Sequence, residues 1–430
     1  MTAPKEPTLD VRVRELVGAP RNLLDTVPAS AGITSWVGPD ISIMGWGSAL
    51  DGRFVGEHSM RQAARYWENI VAQTQVSVET PMTFGDTTVA AQGAEDGEAK
   101  PQFQFPVAMG SFGFSDSTPS HLVVPEVALV KDANGVWVVT ASADGRAPDP
   151  AEVPLELQGE TDAPTGLWTE PGRMTQNKWK EAVARLTRML RSGIASKVVL
   201  ARDIVVSSSA PIDERFLLQQ LLDRYPNTWV YAARGLIGAT PEMLASLRNE
   251  KVVSRVLAGT SAPGEGESLL SSLKDRSEHH LAVESVARSL GPLAEEITVP
   301  SEPGLLDLPN VTHLATEVEA TVPGGNVLDI VDALHPTAAV CGTPTRLAYQ
   351  ILDDLEGTRR GRYSGPVGWV DAAGEGDFGI ALRCGQLSDD HQQIRVFAGG
   401  GIMPDSVPDL ELAETRAKMK PVLQALGIED

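Results

Sequence analysis

The pattern of hydrophobic and polar residues along the chain predicts many short strands and several amphipathic helices. Apolar residues recur at helical spacing over residues 60–76, where Ala64, Trp67, Ile70 and Val71 fall on one face. Strands and helices follow one another without strict alternation. The pattern therefore favours an α+β fold, with large sheets and helices packed outside them.

Turn and capping residues place the boundaries of further elements. Thr175 can cap a helix that runs to about Leu190, and the dipeptide Asn134-Gly135 predicts a hairpin between two apolar runs. A long helix is predicted from about Ser268 to Ser289. Three segments lack such a pattern. We expect a loose lead-in over residues 1–30, an exposed loop over 86–102 and a linker over 144–172.

The C-terminal stretch from Gly361 to Lys420 carries the densest set of chemically informative residues. Residues 366–370 and 379–384 are short apolar runs separated by a glycine-rich turn, which predicts a hairpin of buried strands. A third run enters the triple glycine Gly399–Gly401, and a helical segment follows. The stretch thus combines two cations (Arg383 and Lys418), glycines and two carboxylates (Glu411 and Glu414). Such a set suits the binding of a small molecule that carries a carboxylate and is bridged by a metal ion.

Composition limits the classes of partner. The formal net charge is −21 and the pI is near 4.8, which disfavours nucleic acid and anionic membranes as partners. Cys341 and Cys384 have no zinc-binding spacing, and we expect them to be buried and reduced. The N-terminus lacks a signal peptide and no apolar run approaches the length of a membrane span, so we expect a cytoplasmic protein.

Two pairs of acidic residues are candidates for metal ligands. Asp275 and Glu278 are three residues apart on one predicted helix, and Glu411 and Glu414 are three apart on another. A single pair of this kind is usually a solvated helix face. Two converging pairs would suit Mg²⁺, which prefers oxygen ligands.

Other motifs invite interpretations that their context does not support. The glycine pattern from Gly374 to Gly379 precedes a predicted strand, so we interpret it as a hairpin turn and reject a dinucleotide site. His279 and His280 lack a third ligand at zinc spacing. Lys197, Glu242 and the loop residue His335 have ordinary explanations as surface or structural residues when each is taken alone.

Taken together, the motifs resemble those of the chorismate-utilising enzymes. LIGATPEMLAS, VLAGTSAPG, KDRSEHHLAVE, DALHPTAAVCGTP, RYSGPVGWVD, IALRCG and VFAGGGIMPDSVPDLELAETRAK occur in the order found in that family. The resemblance is strong from about Thr175 to Leu426 and weaker before that. It implies one α+β domain over residues 1–430, with two antiparallel sheets packed face to face, a variable part over 1–165 and a catalytic part over 173–427.

Within this family, the chain is most similar to the isochorismate synthases. Lys197 stands where aminating relatives typically have glutamine, and Ala258 stands where another branch has a lysine nucleophile. Ala338 and Leu273 depart from the usual motifs at peripheral positions. No amidotransferase subunit is therefore expected, and we expect a monomer.

The resemblance implies a role for each matching residue. Lys197 would be the base that activates water for attack at C2 of chorismate, and Glu242 would be the acid that protonates the departing C4 hydroxyl. Mg²⁺ would be held by Glu278 and Glu414, with Asp275 and Glu411 nearby. The residues implied in substrate binding are Gly259, Thr260, His335, Tyr363, Arg383, Gly400, Gly401 and Lys418.

Two alternatives remain open at the level of the sequence. A salicylate synthase would use the same lysine, acid and metal and would then eliminate pyruvate from isochorismate. A non-catalytic relative would bind chorismate without consuming it, and it is disfavoured because every expected catalytic position is filled. The sequence does not separate a menaquinone pathway from a siderophore pathway.

Overall fold

The computed structural model describes residues 7–29, 32–84, 86–90, 100–356 and 360–429. Two short 3₁₀ helices span Leu23–Thr26 and Pro150–Glu152. The α-helices in these ranges are α1 Ser59–Gln73, α2 Gln176–Arg191, α3 Glu214–Arg224, α4 Gly266–Ser271, α5 Leu273–Leu290, α6 Val327–Leu334, α7 Thr345–Glu356 and α8 Pro408–Ala425.

The strands are short in the first part of the chain and longer around the cavity described below. Those of the first part are β1 Asp10–Val17, β2 Ile33–Val37, β3 Ser42–Trp46, β4 Leu50–Phe54, β5 Gln75–Val78, β6 Met82–Thr83, β7 Asp86–Ala90, β8 Ala108–Ser111, β9 Ser120–Val124, β10 Val127–Lys131, β11 Val136–Ser142 and β12 Trp168–Pro171. Those of the second part are β13 Lys197–Ser207, β14 Trp229–Ala233, β15 Leu236–Thr240, β16 Met243–Arg248, β17 Lys251–Ser261, β18 Glu296–Thr298, β19 Gly304–Leu308, β20 Val311–Thr321, β21 Gly342–Thr343, β22 Pro366–Val370, β23 Gly376–Ile380, β24 Cys384–Leu387 and β25 Gln393–Ile402.

The described strands form two large, mostly antiparallel sheets. The larger sheet has fifteen strands, in the order β12-β13-β25-β24-β15-β14-β2-β3-β10-β11-β1-β6-β7, with β21 on β13 and β5 on β1. The smaller sheet has ten, in the order β18-β20-β17-β16-β23-β22-β8-β9-β4, with β19 on β20. Both sheets combine the two parts of the chain, since β2 pairs with β14 and β8 pairs with β22. The predicted α+β class with two sheets and helices is confirmed.

A large apolar core stabilises this arrangement. Trp36, Tyr231, Trp369 and Phe378 are each at most 1% exposed. Burying one large apolar side chain contributes about 1.5–3 kcal/mol, so a core of this size can offset the entropy lost on ordering many strands.

The helices form because their apolar faces meet the sheets as their sequences predict. The hydroxyl of Thr175 accepts a hydrogen bond from the Lys178 amide and caps α2, which buries Trp179 and Leu186. The hairpin at Asn134-Gly135 joins β10 to β11. On α1, Trp67 is buried and donates from Nε1 to the Asp371 carbonyl oxygen at 2.7 Å.

Each of the three segments predicted to lack regular structure contains a strand, although residues 153–167 are irregular as predicted. The lead-in is wrong for residues 10–17, because β1 pairs with β11 inside the larger sheet. Residues 86–90 form β7 and residues 168–171 form β12, which pairs with β13. Residues 1–6, 30 and 91–99 lie outside the described residues. β1 and β12 form through pairing with distant strands, which local pattern does not reveal, whereas β7 pairs with the preceding strand β6.

Two predicted boundaries are also wrong for local reasons. The helix predicted from Ser268 to Ser289 is divided at Ser272, whose hydroxyl accepts from the Asp275 amide at 3.2 Å and so begins α5. The run over residues 379–384 is not one strand. β23 ends at Ile380 in the smaller sheet, and β24 begins at Cys384 in the larger one. Between them, Arg383 has a φ of +49°, where a non-glycine residue is uncommon.

None of the described helices is both long enough and apolar enough to cross a membrane.

Candidate active site

A cavity of about 230 Å³ lies where strands of both sheets meet α5 and α8. It brings together residues that are up to 221 positions apart in the chain, from Lys197 to Lys418. All but two of the residues predicted for the site line it. The predicted residues at the cavity are Lys197, Glu242, Gly259, Thr260, Asp275, Glu278, Tyr363, Arg383, Gly401, Glu411, Glu414 and Lys418.

Lys197 is the first residue of β13, and its side chain is fixed by an ion pair. It is 1% exposed, and its Nζ atom lies 2.8 Å from Oε1 of Glu278 on α5. Burial by itself would raise the pKa of Glu278, but the attraction of Lys197 and Lys418 outweighs burial and lowers the pKa below its usual value. Glu278 is therefore an anion, positioned against the lysine.

The triple glycine leaves room for these side chains. A Cβ atom at Gly401 would lie 2.6 Å from Oε1 of Glu278 and 2.7 Å from Cε of Lys197. A Cβ atom at Gly400 would lie 3.2 Å from Oε2 of Glu411. Gly400 itself does not line the cavity, whereas Gly399 and Gly401 do. Because this part of β25 has no side chains, Glu278 of α5 and Glu411 of α8 can lie close to its backbone.

Glu242 follows β15 and is held in the protein interior. It is 5% exposed, and burial raises its pKa to about 7, although Lys197 and Arg383 act in the opposite direction. A carboxyl group in this state is substantially protonated at neutral pH. It can therefore donate a proton, as a general acid must.

Arg383 is oriented by a residue that sequence analysis missed. His313 on β20 lines the cavity, and its Nε2 atom lies 2.8 Å from Nη2 of Arg383. Burial, Arg383 and Lys418 lower the pKa of His313, so the ring is neutral and can accept from the guanidinium. Its other nitrogen lies 3.2 Å from the Gly259 carbonyl oxygen, which suits an Nδ1–H donor. The available signal was a histidine inside a predicted strand.

Tyr363 and Lys418 also line the cavity, the first as a neutral ring and the second as a cation. Tyr363 is 4% exposed and stacks on Phe397, with ring centroids 5.1 Å apart. Lys418 donates to the Gly399 carbonyl oxygen at 3.2 Å and forms an ion pair with Glu414, one helical turn earlier on α8. Gly259 interrupts the pairing of β17 with β20, at a φ of +80° that favours glycine.

The acidic pairs meet in this cavity as their helical spacing predicts. Asp275 and Glu278 face it from α5, and Glu411 and Glu414 face it from α8. Burial, together with the neighbouring Glu414, raises the pKa of Glu411 to about 7. A nearby cation would relieve this repulsion.

Carboxylate oxygens are suitable ligands for Mg²⁺, but these carboxylates are too far apart to form a complete metal site by themselves. In the described part of the chain, no three carboxylate, histidine or cysteine side chains form a group that could hold a metal ion. Glu278 and Glu414 are each paired with a lysine, which a bound cation would compete with. Such a cation would take its remaining ligands from water or substrate, as Mg²⁺ commonly does.

The structure does not place His335 at the cavity. Its ring packs edge-on against Phe114, with centroids 5.8 Å apart, and burial lowers its pKa to about 4. His335 does not line this cavity, which contains His313 instead, so its place in substrate binding stays a prediction from the sequence. His279 is structural, since its ring nitrogens meet Thr316 and the Ala258 carbonyl oxygen at 2.7 and 3.2 Å.

Comparisons with known proteins agree with this architecture. The family model described as "Chorismate binding enzyme" matches residues 35–427. The vibriobactin-specific isochorismate synthase of Vibrio cholerae is 33% identical over 339 residues, which cover 75% of this chain and 80% of that protein. The putative isochorismate synthase MenF of Mycobacterium tuberculosis is 34% identical over 346 residues, covering 75% of this chain and 87% of that protein.

A solved structure extends the similarity to nearly the whole chain. The putative 2,3-dihydroxybenzoate-specific isochorismate synthase DhbC from Bacillus anthracis superposes with a TM-score of 0.74 at 25% identity. The match covers 95% of this chain and 99% of the other. The two-sheet fold is therefore shared over most of both chains.

Proposed function

The chain belongs to the chorismate-binding enzyme family, and from this premise we propose that it is an Mg²⁺-dependent isochorismate synthase. The reaction adds water at C2 of chorismate and releases the C4 hydroxyl, so the product is an isomer of the substrate. The isochorismate synthases of Vibrio cholerae and Mycobacterium tuberculosis align with this chain over 80% and 87% of their own lengths, which supports the same activity here.

The observation that carries the proposal is the placement of Lys197 and Glu242 in one cavity. Addition of water requires a base, and loss of hydroxide requires an acid. Glu242 has a pKa near 7 and can supply the proton to the leaving oxygen. Lys197 must give up its ion pair with Glu278 and lose a proton before it can accept one from water.

The charges of the cavity suit a dianionic substrate. Chorismate carries two carboxylates, and the protein has a net charge of −21 that would repel it. Arg383 and Lys418 provide local positive charge, and His313 holds the Arg383 guanidinium in place. We assign Arg383 and Lys418 to a substrate carboxylate, with Tyr363 and the β25 backbone forming the wall beside it.

Mg²⁺ is part of the proposal. Glu278 and Glu414 would hold it, with Asp275 and Glu411 nearby, and when bound it supplies positive charge for the second substrate carboxylate. The supporting observation is that these four carboxylates line one cavity, where burial and the neighbouring Glu414 raise the pKa of Glu411.

Product analysis tests the proposal directly. The purified chain is incubated with chorismate and MgCl₂, with and without EDTA, and the products are separated by chromatography. We expect isochorismate in equilibrium with chorismate, lost on chelation and restored by excess Mg²⁺.

Each other result has a defined meaning. Salicylate and pyruvate would replace the proposal by a salicylate synthase. Chorismate that binds but is not consumed would replace it by a non-catalytic binding protein. Product formation that is indifferent to EDTA would remove the metal from the proposal.

A further inference from the structure

A second cavity, of about 440 Å³, lies between the larger sheet and α8. Residues of β12, of β13, of the start of α2 and of α8 from Arg416 onwards line it. None of its lining residues also lines the candidate active site. It is therefore a separate space, and we call it the α8 cavity.

The side chain of Arg202 lies on this face of the sheet. Its Nε atom donates to the hydroxyl of Thr415 on α8 at 2.8 Å, and the residue lines the α8 cavity. Arg202 is 5% exposed, and its Nη groups form no hydrogen bond with any residue that the structure describes. Buried charges are normally paired, so these Nη groups are donors for which the described residues supply no acceptor.

A second guanidinium lies close to the first. Arg416 also lines the α8 cavity and donates from Nη2 to the side-chain oxygen of Gln176 at 2.8 Å. Burial, and then repulsion by Arg416, lowers the pKa of Arg202 to about 10. Both side chains thus carry positive charge, while the side-chain acceptors that they meet, Thr415 and Gln176, are neutral.

The acidic residues of the α8 cavity do not neutralise these two arginines. The carboxylate of Asp203 forms an ion pair with Arg395. Glu170 and Glu429 are exposed, and in the described part of the chain neither forms an ion pair with one of the two arginines. Lys420 is the remaining charged residue of the lining. The buried end of the cavity is therefore positive, and its acids lie at the exposed end.

The rest of the lining is mostly apolar. The apolar residues come from β12, β13, α8 and the segments beside them, and they are Pro171, Met174, Ile204, Met419, Leu423 and Ile428. Flexible methionine side chains adapt to the shape of an apolar ligand. The volume falls within the roughly 300–1,000 Å³ typical of sites for small molecules. The α8 cavity thus suits a ligand with an anionic head and an apolar body.

The distribution of charge favours a carboxylate as that head. A guanidinium fork matches the two oxygens of a carboxylate. Glu170 and Glu429 would repel a dianion such as phosphate more strongly than a monoanion.

We propose that the α8 cavity binds a small monocarboxylate with an apolar chain. Its carboxylate oxygens accept from the Nη groups of Arg202 and from Arg416, and its chain lies against Met419 and Leu423. The inference rests on this cavity alone and does not depend on the reaction proposed for the active site.

Calorimetric titration of the purified chain at neutral pH tests the proposal. The probes are acetate, butanoate and hexanoate, which share one carboxylate and differ only in chain length, and inorganic phosphate, which has charge and no chain. Because a carboxylate could also enter the active site, Arg202→Gln and Arg383→Gln are titrated to separate the two cavities. Arg185→Gln, on the exposed face of α2, is the matched control.

We expect affinity to rise from acetate to hexanoate, by up to about fourfold for each methylene group that is buried. Loss of a charged hydrogen-bonding partner predicts about 10- to 100-fold weaker binding of hexanoate in Arg202→Gln. Binding should be unchanged within threefold in Arg383→Gln and Arg185→Gln. If Arg202→Gln does not fold, Arg416→Gln, which changes an exposed residue of the same cavity, should still weaken binding severalfold.

The opposite results overturn the proposal. Binding that survives in Arg202→Gln and is lost in Arg383→Gln would place the carboxylate in the active site. Equal affinity for acetate and hexanoate would exclude a role for the apolar lining. Tighter binding of phosphate than of hexanoate would contradict the ligand class, and absence of hexanoate binding at tens of millimolar would exclude the site.

Discussion

The Nζ atom of Lys197 lies 2.8 Å from Oε1 of Glu278, and a methyl group at Gly401 would come within 2.7 Å of both side chains. Gly401→Ala should therefore displace the lysine and the carboxylate together. A misplacement on the order of 1 Å can cost about 10²-fold in rate, and we expect a loss of that size in kcat/KM. Steady-state assays with chorismate measure it.

Gly400→Ala is the matched control for that change. A Cβ atom there would meet Oε2 of Glu411 at 3.2 Å and would not approach Lys197. We expect a loss smaller than about tenfold, because only one flexible carboxylate has to shift. Equal losses of kcat/KM in the two variants would contradict the inference that Lys197 and Glu278 need the space beside Gly401.

Removal of Lys197 tests the proposed base. Lys197→Ala should lower kcat by about 10²–10⁴-fold, the usual contribution of general base catalysis. Chorismate binding, measured by calorimetry, should change much less, because Arg383 and Lys418 remain. Lys180 of α2, whose side chain is partly exposed and lies outside the cavity, provides the control substitution. Near-full activity of Lys197→Ala would contradict the assignment of the base.

The raised pKa of Glu242 predicts a pH-dependent stability. Its pKa rises from about 4.5 to about 7 in the folded protein, so folding favours the protonated carboxyl. This contribution is fully present below the unfolded pKa and is lost as pH rises through about 7. By linkage, a shift of this size amounts to about 3 kcal/mol.

Glu242→Gln carries no ionisable group at this position. It should make the protein more stable at high pH and at the same time inactive. Relative to the unchanged protein, it should gain stability as the pH rises from 5 to 8.5, because the unchanged protein must bury a charge there. Glu411 titrates in both proteins and cancels in the comparison. Activity should be lost at every pH. Denaturant unfolding at the two pH values provides the measurement, and a difference that does not vary with pH would refute the raised pKa.

Glu414 is predicted to act through the metal. Glu414→Ala should raise the Mg²⁺ concentration needed for half-maximal activity by at least about tenfold, as loss of a charged ligand implies. Asp409→Ala is the control. Asp409 lies on the same helix, its side chain is 79% exposed, and it forms an ion pair with Lys180. This control should titrate with Mg²⁺ like the unchanged protein. An unaltered titration in Glu414→Ala would exclude it as a ligand.

Local features of the sequence predicted much of the fold and of the cavity. The hydroxyl of Thr175 caps α2 as expected, and Asn134-Gly135 joins two strands. The spacing of the acidic residues on α5 and α8 placed both pairs on faces that reach the cavity. Each of these inferences depends on neighbours within a few positions, which a helix or a tight turn fixes by its own geometry.

Features that depend on distant contacts could not be predicted in this way. The strand β1 belongs to the larger sheet only because β11, more than a hundred residues later, pairs with it. The run ending in Cys384 alternates like one strand, yet the chain changes sheets at Arg383. His335 in its loop and His313 in its strand could not be told apart from the sequence, because packing decides that only His313 lines the cavity.

His313 provides the last prediction, because its neutral ring accepts from Arg383. His313→Ala would leave the guanidinium without this partner and free to turn from the substrate. Since Arg383 is proposed to bind a substrate carboxylate, KM for chorismate should rise by about 10- to 100-fold, the range for a hydrogen bond to a charged group. The rate constant kcat should fall less, because Lys197 and Glu242 are unchanged.

His313→Gln should restore part of the affinity, since its side-chain oxygen can accept from the same guanidinium. A merely structural role would lower the amount of folded protein without changing KM, and it would not be rescued by an acceptor. If kcat falls in His313→Ala while KM stays constant, the histidine acts on the reacting atoms and does not position Arg383. Steady-state kinetics of the two variants, at matched folded concentrations, distinguish these cases.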